Sequence, residues 1–139
     1  MAPTNEQFHV LFIEDDEVDI QSVQREIKKL EIPIELYIAK DGVEALNKLY
    51  GKNGEPKLPK PHLILLDINM PKMSGIQFLQ ILQKDVDLKH VIVYFLTTAY
   101  TTRDKIASQG LCVAGHIIKP LQQDDLMRIY WSLIEGTPS

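Results

Sequence analysis

The sequence predicts an α/β domain: a doubly wound, five-stranded parallel sheet with helices on both faces. Three observations carry this. Short apolar runs alternate with amphipathic stretches five times along the chain, the order that builds a parallel sheet through crossover helices. The runs are nearly continuous rather than alternating, as in strands covered on both faces. Four of the five end abruptly in charged or hydroxyl residues, at the rim where open α/β sheets collect their ligands.

The elements follow in order. Positions 9–13 (HVLFI) form the first strand, ending in Glu14-Asp15-Asp16-Glu17. Ile20, Val23, Ile27 and Leu30 recur at three- and four-residue steps, one apolar stripe on a helix, with Asp16 or Asp19 as its cap. Positions 34–39 read as a second strand. Asp41 then opens a second helix, with Glu44 three residues on as in a capping box. Positions 51–61 (GKNGEPKLPKP) hold two glycines and three prolines, which suits only a loop, longer than most connections of its kind. Positions 63–66 form a third strand ending at Asp67. Ile76, Phe78, Leu79 and Leu82 mark a third helix. Positions 91–96 are a fourth strand ending at Thr97, and positions 104–110 a short, weakly periodic helix. Positions 114–118 are a fifth strand ending at Lys119-Pro120. Leu126, Ile129, Tyr130 and Leu133 carry the last helix. Whether Tyr130 and Trp131 lie in the core or at an interface is open from sequence alone.

The 139 residues are expected to make one ordinary domain over 1–139, with a core at about 8–135 and no output domain. A net charge of -4 argues against a nucleic-acid binder, which needs a basic face to neutralise phosphates. Cys112 is the one cysteine, so no intrachain disulfide forms, and it reads as a packing residue rather than a redox site. No apolar run nears the ~20 residues that span a bilayer. The polar N-terminus lacks the apolar core of a signal peptide. A soluble, cytoplasmic protein without membrane partners is expected.

The strand-end residues carry the chemistry. Glu14-Asp15, Asp67, Thr97 and Lys119 are far apart in sequence, yet the predicted topology converges them on one spot. Carboxylates crowded within a few ångströms repel, so a proton or a cation must sit among them. An all-oxygen site with few protein ligands suits Mg²⁺, which keeps several waters and shares phosphate oxygens. A carboxylate beside such a metal can take up a phosphoryl group, while a lysine and a hydroxyl stabilise the charge spread over its oxygens. Asp16 reads better as a helix cap than as a metal contact.

These residues resemble the motif set of the response-regulator receiver family of two-component signalling, chemotaxis-regulator-like, from about Phe8 to Ile134. The matching blocks are the acid pair Glu14-Asp15, Leu65-Leu66-Asp67-Ile68-Asn69-Met70-Pro71 with Ser74-Gly75 after it, Leu96-Thr97, and Ile118-Lys119-Pro120. The resemblance implies a flavodoxin-like strand order 2-1-3-4-5. It implies that Asp67 accepts a phosphoryl group from a histidine kinase or phosphotransfer protein. Mg²⁺ would be held by Asp15 most directly, with Glu14, Asp67 and the backbone carbonyl of Asn69. Thr97 would bond a phosphoryl oxygen, and Lys119 would pair with it, or with Asp67 beforehand, across a cis Lys119-Pro120 bond. Output would pass to a downstream protein, or the phosphoryl group would be relayed onward. The last helix, with the fourth helix and fifth strand, would be the contact face and could support a homodimer. No enzymatic turnover is implied beyond self-catalysed phosphorylation and dephosphorylation.

The chain departs from the family pattern at three points. His116 stands where many receivers carry Tyr or Phe, Thr98 where a small residue usually follows the threonine, and Leu121 where an aromatic is frequent. As a strand-end residue, His116 needs no pH-sensing role. The loop at 51–61 and the Thr97-Thr98 pair are similar to small receivers associated with phytochrome-type kinases. Two rival functions are an aspartate-nucleophile phosphatase and a phosphorylation-independent binding module. The phosphatase pattern needs a second Asp two residues after the nucleophile, where this chain has Asn69; the intact acid pair, Asp67, Thr97 and Lys119 argue against the binding module. No phosphate-binding or dinucleotide-binding glycine motif is present.

Overall fold

The computed structural model describes residues 7–68, 72–97 and 113–135. The helix expected at 104–110, and Asn69, Thr98 and Cys112, lie outside them. Five strands, β1 (Phe8–Ile13), β2 (Ile34–Ala39), β3 (Leu63–Asp67), β4 (Ile92–Thr97) and β5 (Gly115–Ile118), make one sheet. All neighbours pair parallel, in the order β2-β1-β3-β4-β5. The described helices are α1 (Glu17–Lys29), α2 (Gly42–Tyr50), α3 (Gly75–Lys84) and α4 (Gln123–Glu135).

The near-continuous apolar strands are explained by two cores, one on each face. Leu11 and Ile13 of β1, Ile64 and Leu66 of β3 and Phe95 of β4 pack with Ala45 and Leu49 of α2 and Phe78, Leu79 and Leu82 of α3. Their neighbours Val10, Phe12, Leu63, Leu65 and Leu96 pack with Ile20 and Val23 of α1 and Leu126, Ile129 and Tyr130 of α4. Each strand thus sends alternate side chains to opposite cores. Tyr130 belongs to the core, edge-on to Phe8, whereas Trp131 is half-buried and packs edge-on against Tyr130.

Caps set where the helices begin. The Asp16 carboxylate accepts from the Val18 and Asp19 amides, satisfying donors that the first turn leaves without a helical partner. Asp41 caps α2 through the Glu44 amide. The expected capping box is altered there, since the Glu44 carboxylate accepts from the Lys40 amide, one residue further back, at 2.7 Å. Ser74 and Gln77 form a complete capping box on α3. The loop after α2 is held down: Gly51 takes the left-handed conformation that ends the helix, the Leu58 amide donates to the Lys48 carbonyl, and Leu58 packs on the α2–α3 core.

Gly75, at the start of α3, packs closely on the backbone at Asp67. A methyl group on Gly75 would lie 2.6 Å from the Asp67 carbonyl oxygen and 2.9 Å from Ile68 Cα. At Gly42 the nearest obstacle is the flexible Met73 side chain. Gly75→Ala is therefore expected to destabilise the fold by about 1–3 kcal/mol, and Gly42→Ala by clearly less. Urea unfolding of the two variants checks this, and equal midpoints would remove the backbone-packing explanation.

Candidate functional site

Strand register assembles the site. Ile13 pairs with Leu66, so Glu14 and Asp67 each follow that pair at the carboxyl rim. Asp67 is level with Leu96 and Thr97 with Ile118, which brings Lys119 to the same rim. The Lys119 amide donates to the Thr97 carbonyl at 2.9 Å, tying the ends of β4 and β5 together. β1 and β3 are neighbours although β2 intervenes in sequence, so the acid pair and Asp67 flank the point where strand order reverses. Doubly wound sheets bind ligands there.

Glu14, Asp67 and Thr97 are buried, with 1%, 6% and 7% of their surfaces exposed, whereas Asp15 is exposed. Glu14, Asp15 and Asp67 each offer a carboxylate oxygen, and these oxygens lie within 4.8 Å of one another. The Lys119 ammonium reaches in from β5 to Glu14 Oε1 at 2.9 Å, Asp19 Oδ2 at 3.0 Å and Asp67 Oδ2 at 3.6 Å. The Lys119-Pro120 bond is cis, as expected. His116 lies on β5 with its ring 6.1 Å from that of Phe95.

The charges are strained toward neutrality. Burial, then the hydrogen bond to Asp67 and the Asp67 charge, push the Glu14 carboxyl up to about 8 against the opposing pull of Lys119. Burial works against the Lys119 ammonium, but its bonds to Glu14 and Asp19 and the charge of Asp67 outweigh this and hold it above the ordinary lysine range. The acid cluster thus lacks positive charge even with the lysine in place. Hard oxygen ligands, two of them buried beside an exposed third, fit a small divalent cation that keeps part of its water shell.

The sequence reading brought Glu14, Asp15, Asp67, Thr97 and Lys119 to one rim, and the structure places all five there. The backbone carbonyl of Asn69 lies outside the described residues. Asp19, considered only as a helix cap, was missed as a partner of Lys119. Its signal was its spacing: four residues after Asp15, it occupies the first turn of a helix that starts at the site.

A 2-1-3-4-5 sheet with this cluster at its carboxyl rim defines an α/β domain of the receiver class. The model of the response regulator receiver domain family matches residues 10–130, and the chain belongs to that family. It is 36% identical over 120 residues to the response regulator Rcp1 of Synechocystis, covering 86% of this chain and 82% of that protein. A two-component response regulator from Legionella pneumophila superposes with a TM-score of 0.82 at 48% identity, covering 91% of this chain and 98% of the other. The phosphorylated cyanobacterial phytochrome response regulator RcpA gives a TM-score of 0.76 at 29% identity, over 94% and 93% of the two chains. The family consists of signalling proteins of two-component systems, and this chain has phytochrome-associated relatives within it. No described helix is long and apolar enough to cross a membrane.

A carboxyl raised on folding is favoured in its protonated form. Its contribution to stability is whole below the ordinary value of 4.5 and is lost as pH climbs to about 8. In the presence of chelator, the urea midpoint should fall across that window, and Glu14→Gln should flatten the fall. A wild-type midpoint that is level across the window would show that Glu14 is already ionised in the folded state.

Proposed function

We infer that this receiver is a phosphorylation switch in which Asp67 is the phosphoacceptor. The carrying observation is the position of Asp67 at the end of β3, with the oxygens of Glu14 and Asp15 within 4.8 Å and the Lys119 ammonium at 3.6 Å. Glu14, Asp15, Asp67 and the backbone carbonyl of Asn69 would hold Mg²⁺, which when bound balances the clustered carboxylates and the phosphoryl oxygens. A Mn²⁺-bound form of Rcp1, 34% identical to this chain, supports the choice of cation.

In the reaction, an Asp67 carboxylate oxygen forms a bond to phosphorus as the bond from phosphorus to the donor breaks. The electron pair of the broken bond leaves with the donor: a phosphohistidine imidazole, or acetate when acetyl phosphate is used. Lys119 donates to a phosphoryl oxygen and lowers the charge built up in the transition state. The Thr97 hydroxyl, at the end of β4, donates to another and follows the phosphoryl group when it arrives. Water later attacks phosphorus, releasing phosphate and restoring the carboxylate; no other turnover is proposed.

The donor is a histidine kinase, of the phytochrome type by the company of Rcp1 and RcpA, or a phosphotransfer protein. The receiver match accounts for residues 10–130 of the chain. Output runs through a downstream protein that discriminates the two states, since a switch acts only through differential affinity, or through onward relay. The α4 face with β5 is the proposed contact surface, including for a homodimer. A cytoplasmic setting without nucleic-acid or membrane partners completes the reading.

Incubation with acetyl phosphate and Mg²⁺ should add one phosphoryl group by intact mass, and none with chelator or in Asp67→Asn. Labelling retained in that variant would place the acceptor elsewhere. Lys119→Ala should slow phosphorylation about 10- to 100-fold, the worth of one charge-assisted hydrogen bond in the transition state. An unchanged rate would remove Lys119 from the chemistry.

A further inference from the structure

Lys119 stands closer to two other carboxylates than to Asp67. Glu14 and Asp19 are at 2.9 and 3.0 Å, inside hydrogen-bond range, and Asp67 is at 3.6 Å, beyond it. Asp19 projects from the first turn of α1, just after the Asp16 cap, and it borders a crevice lined also by Phe12, Ser22, Leu96 and Leu121. It is about a third exposed and is not among the carboxylates grouped around the cation position. Its partner is a lysine that is four-fifths buried.

We propose that Asp19 is a positioning residue that holds the Lys119 ammonium off Asp67 in the unphosphorylated protein. An ammonium has three donors and no acceptors. Glu14 and Asp19 take two of them, which leaves one for a phosphoryl oxygen. Without Asp19 the flexible lysine collapses onto the strongest remaining acceptors, Asp67 and Glu14. That tight pairing puts a positive charge where the cation must sit and ties up the nucleophile. Glu14 cannot replace Asp19 as the anchor, because it is also drawn to the cation. Asp19 lies on a different element and keeps its hold on Lys119 whether or not the cation is bound. A phosphoryl group, carrying more negative charge than a carboxylate, then draws the ammonium across.

The inference rests on the assignment of Glu14, Asp15 and Asp67 as the cation site, and the test separates the two. Mg²⁺ binding is measured by calorimetry on the wild type, Asp19→Ala, Asp19→Asn, Lys119→Ala and the double variant Asp19→Ala/Lys119→Ala. Asp19→Ala should raise the Kd for Mg²⁺ about three- to tenfold, the coupling expected of groups in direct contact. Asp19→Asn keeps an acceptor without the charge and should fall between it and the wild type. In the Lys119→Ala background the same Asp19 change should cost less than about twofold, because a partly exposed charge acting on its own is screened. An equal shift in both backgrounds, no shift, or tighter binding overturns the proposal. A wild type that binds no Mg²⁺ overturns the site assignment itself.

Discussion

The partly buried ammonium of Lys119 joins carboxylates from three separate elements: Glu14 after β1, Asp19 on α1 and Asp67 at the end of β3. Each carboxylate alone would suffer from its neighbours, and Glu14 is too buried to escape into water. A partly buried ion pair gains little in net stability because desolvation offsets attraction. What this one supplies is geometry. It draws the ends of β1, β3 and β5 and the start of α1 toward one point, and it leaves that point short of positive charge. The demand for a cation follows from that shortfall.

The fold was legible because burial on both faces writes itself into the strands. LFI in β1 and LILL in β3 leave no polar face, and only a sheet sandwiched between helices explains them. Boundaries agreed to within a residue or so wherever a cap or a proline marked them. The order of the strands was not written in the pattern; it came from likeness to a family, as did the particular role of each strand-end residue. Pairing register then explains why Glu14 and Asp67 meet, since both follow the Ile13–Leu66 pair.

Less legible were contacts set by side-chain reach. Asp19 resembles any acid in a first helical turn, where a carboxylate is favoured by the helix dipole. Only the approach of Lys119 from β5, a hundred residues later, gives it a second role. The Glu44 bond to the Lys40 amide is a similar case: the capping pattern is present, but the carboxylate takes the amide one residue before the cap. Trp131 was undecidable because an amphipathic stripe does not say how far a large ring at its margin is covered.

A parallel sheet separates its two rims, and the connection at 51–61 lies on the rim away from the acid cluster, between the end of α2 and the start of β3. It is pinned by Gly51 and Leu58, yet around Gly54 a β-carbon would meet nothing within 4 Å. A group added there meets no obstacle in the domain. That makes the segment a natural port for a fluorophore or a fused reporter, one that reads the domain from behind, away from the rim that carries the acid cluster.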